Sequence, residues 1–116
     1  TGATARNLIR VFFLMEQLKS LGKDSNWRPA HVHVIGAGTL GGDIARWCAL
    51  RGFRVSLQDQ APERFAPAVG RAHSMVRRML KHPRKIQAAM DRLIPDHRGL
   101  GIGHADIVIE AIFEDA

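Results

Sequence analysis

Residues 31–60 read HVHVIGAGTLGGDIARWCALRGFRVSLQDQ, and their patterning decides the fold. HVHVI alternates polar and β-branched residues, the period of a strand. Gly36, Gly38 and Gly41 follow directly, where glycine weakens strand and helix alike. Beyond them Leu40, Ile44, Trp47 or Cys48, and Leu50 recur at helical spacing and predict a helix over 39–51. FRVSLQD, residues 53–59, is a second strand, and it ends in an acid, Asp59.

A strand that runs through Gly-x-Gly-x-x-Gly into a helix has a mechanical reading. Gly36 lets the chain turn tightly off the strand. Gly38, without a side chain, lets a pyrophosphate approach the backbone. Gly41 lets the helix lie close to the sheet, and Gly42 adds another small residue at that contact. The free N–H groups of the first helical turn then face the phosphates, aided by the helix dipole. Asp59 follows Gly41 by 18 residues, where a carboxylate accepts hydrogen bonds from the adenosine ribose and repels a 2′-phosphate. No basic residue comes immediately after it, so NAD is the expected cofactor, preferred over NADP. GLGIG, residues 99–103, is also glycine-rich, but it follows no clear strand and reads as a loop.

Outward from this core the chain alternates. Residues 62–81 are helical, Pro83 opens another helix to about residue 92, and LIPD is a short strand. DIVIEAI, residues 106–112, is a continuous apolar run of the buried-strand type. Such alternation implies an α/β fold with a parallel sheet and crossover helices. Upstream, Leu8, Val11, Phe12, Met15 and Leu18 predict an amphipathic helix over 4–21, with Thr4 as N-cap and Gly22 as stop. Residues 22–30 form a polar linker. The expected organisation is therefore an amphipathic helix and linker over 1–29, then the N-terminal half of a Rossmann-type domain over 30–116. The 4–21 helix also carries Ile9, Phe13 and Leu14 outside its main stripe. One small sheet cannot cover so many apolar side chains, so self-association through this helix is expected.

The 116 residues, 46% hydrophobic, suit one globular domain. The longest apolar run, VFFLM, falls far short of the roughly 20 residues of a membrane span. The opening residues lack a signal-peptide layout, and the single cysteine, Cys48, favours a reducing, cytoplasmic setting. Net charge is +6. Its densest cluster, Arg77, Arg78, Lys81, Arg84 and Lys85, has no interleaved aromatics and reads as a solvated helix surface, with no nucleic-acid partner. His31 and His33 share one side of a strand, but no third ligand stands near them, so no metal site is expected. Cys48 reads as a small core residue. Met75, Met79 and Met90 suit helix cores. His73, His82, His97 and His104 have no evident partner, and no catalytic residue is assigned.

VIGAGTLGGDIA, the LQD ending in Asp59, and ADIVIEAIFED together resemble the NAD-binding domain of L-3-hydroxyacyl-CoA dehydrogenases. The likeness is strongest to the multifunctional alpha subunit of bacterial fatty-acid β-oxidation, in which an enoyl-CoA hydratase domain precedes the dehydrogenase. TARNLIRVFFLMEQLKSLG is similar to the segment joining those two domains, and only this resemblance implies that the helix and linker over 1–29 are interdomain. The resemblance implies oxidation of L-3-hydroxyacyl-CoA to 3-ketoacyl-CoA by the parent protein, with a thiolase subunit as its partner. It places the cofactor-binding role on Gly36, Gly38, Thr39, Leu40, Gly41, Asp59, Ala111 and Glu114. By position, Ala111 falls on the adenosine side and Glu114 near the nicotinamide ribose. Leu40 stands where the family often has methionine. The family's catalytic histidine and glutamate come from later sequence, so residues 1–116 are expected to bind cofactor without turning over acyl-CoA. The competing readings are another Rossmann-fold dehydrogenase and, from a different class, a basic nucleic-acid-binding module.

Overall fold

Val32, Val34, Val55 and Leu57 occupy the centre of a sheet, and their burial fixes everything around them. A computed structural model of the chain describes residues 5–13 and 30–115. Its strands are β1 (Ala5–Phe13), β2 (His31–Ile35), β3 (Arg54–Gln58), β4 (Leu93–Pro95) and β5 (Ile107–Asp115). They form one sheet in the order β1-β5-β2-β3-β4. The pairs β2–β3, β2–β5 and β3–β4 are parallel, and β1–β5 is antiparallel. The fold is α/β with a mostly parallel, Rossmann-type sheet, as the alternation predicts.

Three helices lie among the described residues: α1 (Thr39–Leu50), α2 (Phe65–Met79) and α3 (Pro83–Asp91). Ala45, Cys48 and Ala49 of α1 and Ala68 and Ala72 of α2 join the central valines and Leu57 in one core. Small side chains at these positions let the helices pack closely on the sheet. Cys48, not Trp47, is the buried member of the α1 face, and burial pushes its thiol up to about 11. Trp47 instead lies outside, with the Arg51 guanidinium 4.7 Å from its ring. Gly52 terminates α1 at φ +99°. Its N–H donates to the Ala49 carbonyl and the Phe53 N–H to that of Cys48, a Schellman closure that favours glycine. Met79, expected in a helix core, is 61% exposed at the end of α2, where Leu80 turns extended.

The opposite face of the sheet is polar where β2 and β3 meet. Side chains alternate along strands, so His31 and His33 share it with Ser56 and Gln58. The link from β4 back to β5 crosses this face through a 3-10 turn, Leu100–His104. This explains the second glycine cluster. A Cβ on Gly101 would overlap the Ser56 side chain, and one on Gly99 would meet Gln58. Beneath the turn, His33 Nε2 lies 2.7 Å from Gln58 Oε1, and its Nδ1 lies 2.6 Å from Ser56 Oγ. Ser56 Oγ is also 2.8 Å from His31 Nε2. With Gln58 Oε1 accepting from His33, the chain of donation runs His31 to Ser56 to His33 to Gln58. Asp96 pins the turn by accepting from the Leu100 and Gly101 N–H groups.

The expectation for the N-terminal segment is corrected. Ala5–Phe13 is a strand of nine residues, not the first half of a helix over 4–21; residues 14–21 and the linker 22–29 lie outside the described residues. The cause is tertiary. The outer edge of β5 presents a row of unpaired backbone groups, and the segment from Asn7 to Phe13 is rich in β-branched and aromatic residues that suit an edge strand. Ile9 pairs with Ala111 and Val11 with Ile109, while Arg10 sits 3.5 Å from Glu110. Helix propensity is a weak preference beside a full ladder of backbone bonds. The expected self-association through a 4–21 helix therefore loses its element over Ala5–Phe13, since this stretch pairs within its own chain.

Candidate functional site

The site forms where β2 gives way to α1. Gly36 has φ +107°, a left-handed conformation suited to glycine, and its N–H donates to the Gln58 carbonyl at 2.7 Å. One residue later the Ala37 N–H donates to Asp59 Oδ2, also at 2.7 Å. The turn off β2 is thus tied to the end of β3 by two successive bonds. Gly38 is the N-cap of α1. The helix has no side-chain cap and no acid in its first turn, so its leading N–H groups and positive dipole end are left for an anion.

The three glycines differ in what they permit. A Cβ on Gly41 would overlap the Gly36 carbonyl oxygen, so this glycine is required for α1 to pass under the turn. A Cβ on Gly38 would meet nothing within 4 Å. Its place is open, on the cleft side. A Cβ on Gly42 would make ordinary contact with Ala68 at 3.5 Å.

Asp59 is 6% exposed. Besides Ala37, its Oδ1 accepts from the Ala61 N–H at 2.8 Å, and Arg64 Nη1 stands 3.5 Å from Oδ2. His97 Nδ1 lies 3.0 Å from the main-chain carbonyl oxygen of Asp59. Burial alone pushes the Asp59 carboxyl up, but the Ala61 and Ala37 N–H groups and the Arg64 guanidinium outweigh it and hold the pKa below the usual carboxylate value. A carboxylate has about four acceptor positions, so an ionised Asp59 keeps capacity for a further donor.

Gly36, Gly38, Thr39, Leu40, Gly41, Asp59 and Ala111 all line one cleft of about 860 Å³. Ala111 is buried on β5, and its Cβ would lie 3.7 Å from a Cβ on Gly41. The adjacency of β2 and β5 brings it there. Glu114 falls in β5 opposite Arg6 in register, and its side chain lies outside the described residues. The cleft also includes Asp43, Gln60 and Arg64, which the sequence reading passed over. Arg64 carried a usable signal: it lies one short turn after Asp59, and the Pro62–Arg64 3-10 turn brings it back over the acid.

The family model for the 3-hydroxyacyl-CoA dehydrogenase NAD binding domain matches residues 31–116. Fatty acid oxidation complex alpha subunits from Psychrobacter sp. (strain PRwf-1) and Psychrobacter arcticus are each 27% identical over 118 residues, covering 96% of this chain. The chain spans 16% of the length of each. Among solved structures, 3-hydroxybutyryl-CoA dehydrogenase from Escherichia coli K12 is similar with TM-score 0.56 and 28% identity, over 60% of this chain and 16% of that one. The (S)-3-hydroxybutyryl-CoA dehydrogenase PaaH1 from Ralstonia eutropha gives TM-score 0.56 and 26% identity, over 60% and 26%.

Proposed function

The chain belongs to the family of 3-hydroxyacyl-CoA dehydrogenase NAD-binding domains, and from that premise we propose that its cleft holds the adenosine diphosphate half of NAD. The observation that carries the reading is the Asp59 carboxylate, held by Ala37 and Ala61 beside the uncapped N-terminus of α1. The residues fit the cofactor. Gly38 leaves space at the helix start, Asp59 keeps an acceptor for a ribose hydroxyl, and the α1 N–H groups suit a pyrophosphate. Thr39, Leu40 and Ala111 complete the walls, and Glu114 is assigned to the nicotinamide side. When bound, the cofactor supplies the hydride-accepting ring. This chain's own part is to bind and orient it, and no catalytic residue is assigned within 1–116.

In the whole protein this unit serves oxidation of L-3-hydroxyacyl-CoA to 3-ketoacyl-CoA, alongside an enoyl-CoA hydratase domain and with a thiolase subunit as partner. The alpha-subunit relatives, which match 96% of this chain, support a place in a fatty acid oxidation complex. The boundary at residue 30 belongs to the same proposal, supported by a family match that begins at residue 31. A reducing, cytoplasmic setting is supported by the lone buried Cys48. No helix among the described residues is long and apolar enough to cross a membrane.

Titration with NADH, followed by the change in its fluorescence, tests the reading. Saturable binding that AMP competes away is expected. Binding of neither NADH nor AMP at millimolar concentration would overturn it.

A further inference from the structure

Arg64 changes what Asp59 means for cofactor choice. Along the chain no base follows Asp59 immediately, and an acid at this place normally repels a 2′-phosphate. In space, Arg64 Nη1 lies 3.5 Å from Asp59 Oδ2, and both residues line the same cleft. The two are unequal partners. The Asp59 side chain is 6% exposed and bound to the Ala37 and Ala61 N–H groups, whereas that of Arg64 is 60% exposed. A guanidinium has five N–H donors, and Asp59 engages one of them.

We propose that Arg64 is a specificity-determining residue that offsets the Asp59 charge and offers donors to a 2′-phosphate, so that the site discriminates only weakly against NADP(H). The inference rests on the dinucleotide reading above and deepens it. Two physical effects act together. A cation beside the carboxylate cancels much of its repulsion toward a second anion. The remaining N–H groups suit a phosphate, which arginine binds through charge-assisted bonds. The ribose hydroxyl of NAD still has Asp59 as acceptor, so NAD remains preferred, by a narrower margin than the acid alone would set.

The test compares dissociation constants for NADH and NADPH in the full chain, its Arg64→Gln and Asp59→Asn variants, and the double variant. Arg64→Gln is expected to move the ratio of the NADPH to the NADH dissociation constant about tenfold against NADPH. Asp59→Asn is expected to shift preference toward NADPH, and the double variant to lose the part of that preference that Arg64 supplies. Adenosine 2′,5′-bisphosphate against AMP, as competitors, should reproduce the same ratios without the nicotinamide. An unchanged NADPH-to-NADH ratio in Arg64→Gln would sink the proposal, as would a double variant that prefers NADPH as strongly as Asp59→Asn alone. The exposed Arg64 side chain makes its substitution safe for folding, so that arm decides even where Asp59→Asn destabilises the chain. Wild-type binding of NADH with an unmoved ratio defeats this inference alone. Wild-type failure to bind either dinucleotide defeats the dinucleotide reading, and this inference with it.

Discussion

The Ala37 N–H donates to the Asp59 carboxylate at 2.7 Å, so the acid expected to meet a ribose also holds the glycine turn in place. Ala37 is fully buried, and Asp59→Ala would leave its N–H without that acceptor, a cost of about 1–3 kcal/mol. The linkage has a definite sign. The folded pKa of Asp59 is depressed below its ordinary 3.8. Its contribution is therefore fully present above that value and is lost as pH falls through the lower, folded one. Denaturant midpoints followed from pH 7 to pH 3 should fall at the acid end, and less steeply in Asp59→Ala. Equal acid slopes in the two proteins would contradict the assignment.

Gly38 and Gly41 should separate binding from folding. Gly38→Val adds a side chain where nothing stands within 4 Å, at φ −75° and ψ −167°, which any residue adopts. Stability should change by about 0.5 kcal/mol or less, while NADH affinity drops at least about tenfold because the backbone can no longer be approached closely. Gly41→Ala drives a methyl into the Gly36 carbonyl oxygen and should destabilise by about 1–3 kcal/mol. Paired melting curves and NADH titrations check both. Intact NADH affinity in Gly38→Val would remove the phosphate from this position.

Ser56 bonds to both His31 and His33 beneath the Leu100–His104 turn. Ser56→Ala should cost about 1–3 kcal/mol, since a buried ring nitrogen of His33 loses its partner. His31 adds a pH dependence. Its pKa is lowered by burial first, then by the charges of His33, Arg54 and His104, against the opposing pull of Asp106. A base whose folded pKa is depressed contributes stability above its ordinary 6.5 and loses it as pH falls through that region. The chain should unfold more readily at pH 5.5 than at pH 7.5, and His31→Gln should shrink the difference. Thermal melts at the two pH values decide this.

Much of the site was legible because its residues carry local steric demands. Gly36 needs a positive φ, Gly41 lies against a carbonyl, and Asp59 ends a strand at a fixed remove from them. These constraints leave a spaced pattern in one short stretch. Arg64 was missed because its proximity to Asp59 depends on how the 3-10 turn bends, not on its distance along the chain. The purpose of Gly99 and Gly101 was hidden for a similar reason: what they touch, Gln58 and Ser56, lies on another strand. Ala5–Phe13 was misread because its apolar residues suit helical and extended spacing alike. The partner that decides between them, β5, lies roughly a hundred residues away, and local propensity is easily overridden by such a partner.

That strand leads to an outcome opposite in sign to the helical reading. If residues 4–21 formed an exposed apolar helix, deleting them would remove the sticky surface and shift the chain toward monomer. As a strand, Ala5–Phe13 instead covers the outer edge of β5 from Ile107 to Asp115. Deleting residues 1–13 uncovers that edge, a run of apolar residues with unpaired N–H and C=O groups, which is a template for pairing with another chain. Sedimentation of the truncated chain should therefore show more dimer and higher species than wild type. Val11→Pro gives a milder version, because proline removes one donor from the β1–β5 ladder at its pairing with Ile109. Arg10→Ala should do little, since the Arg10–Glu110 contact at 3.5 Å is exposed and such pairs contribute about 0–1 kcal/mol. A truncated chain that sediments as a cleaner monomer than wild type would show that the segment does not guard β5.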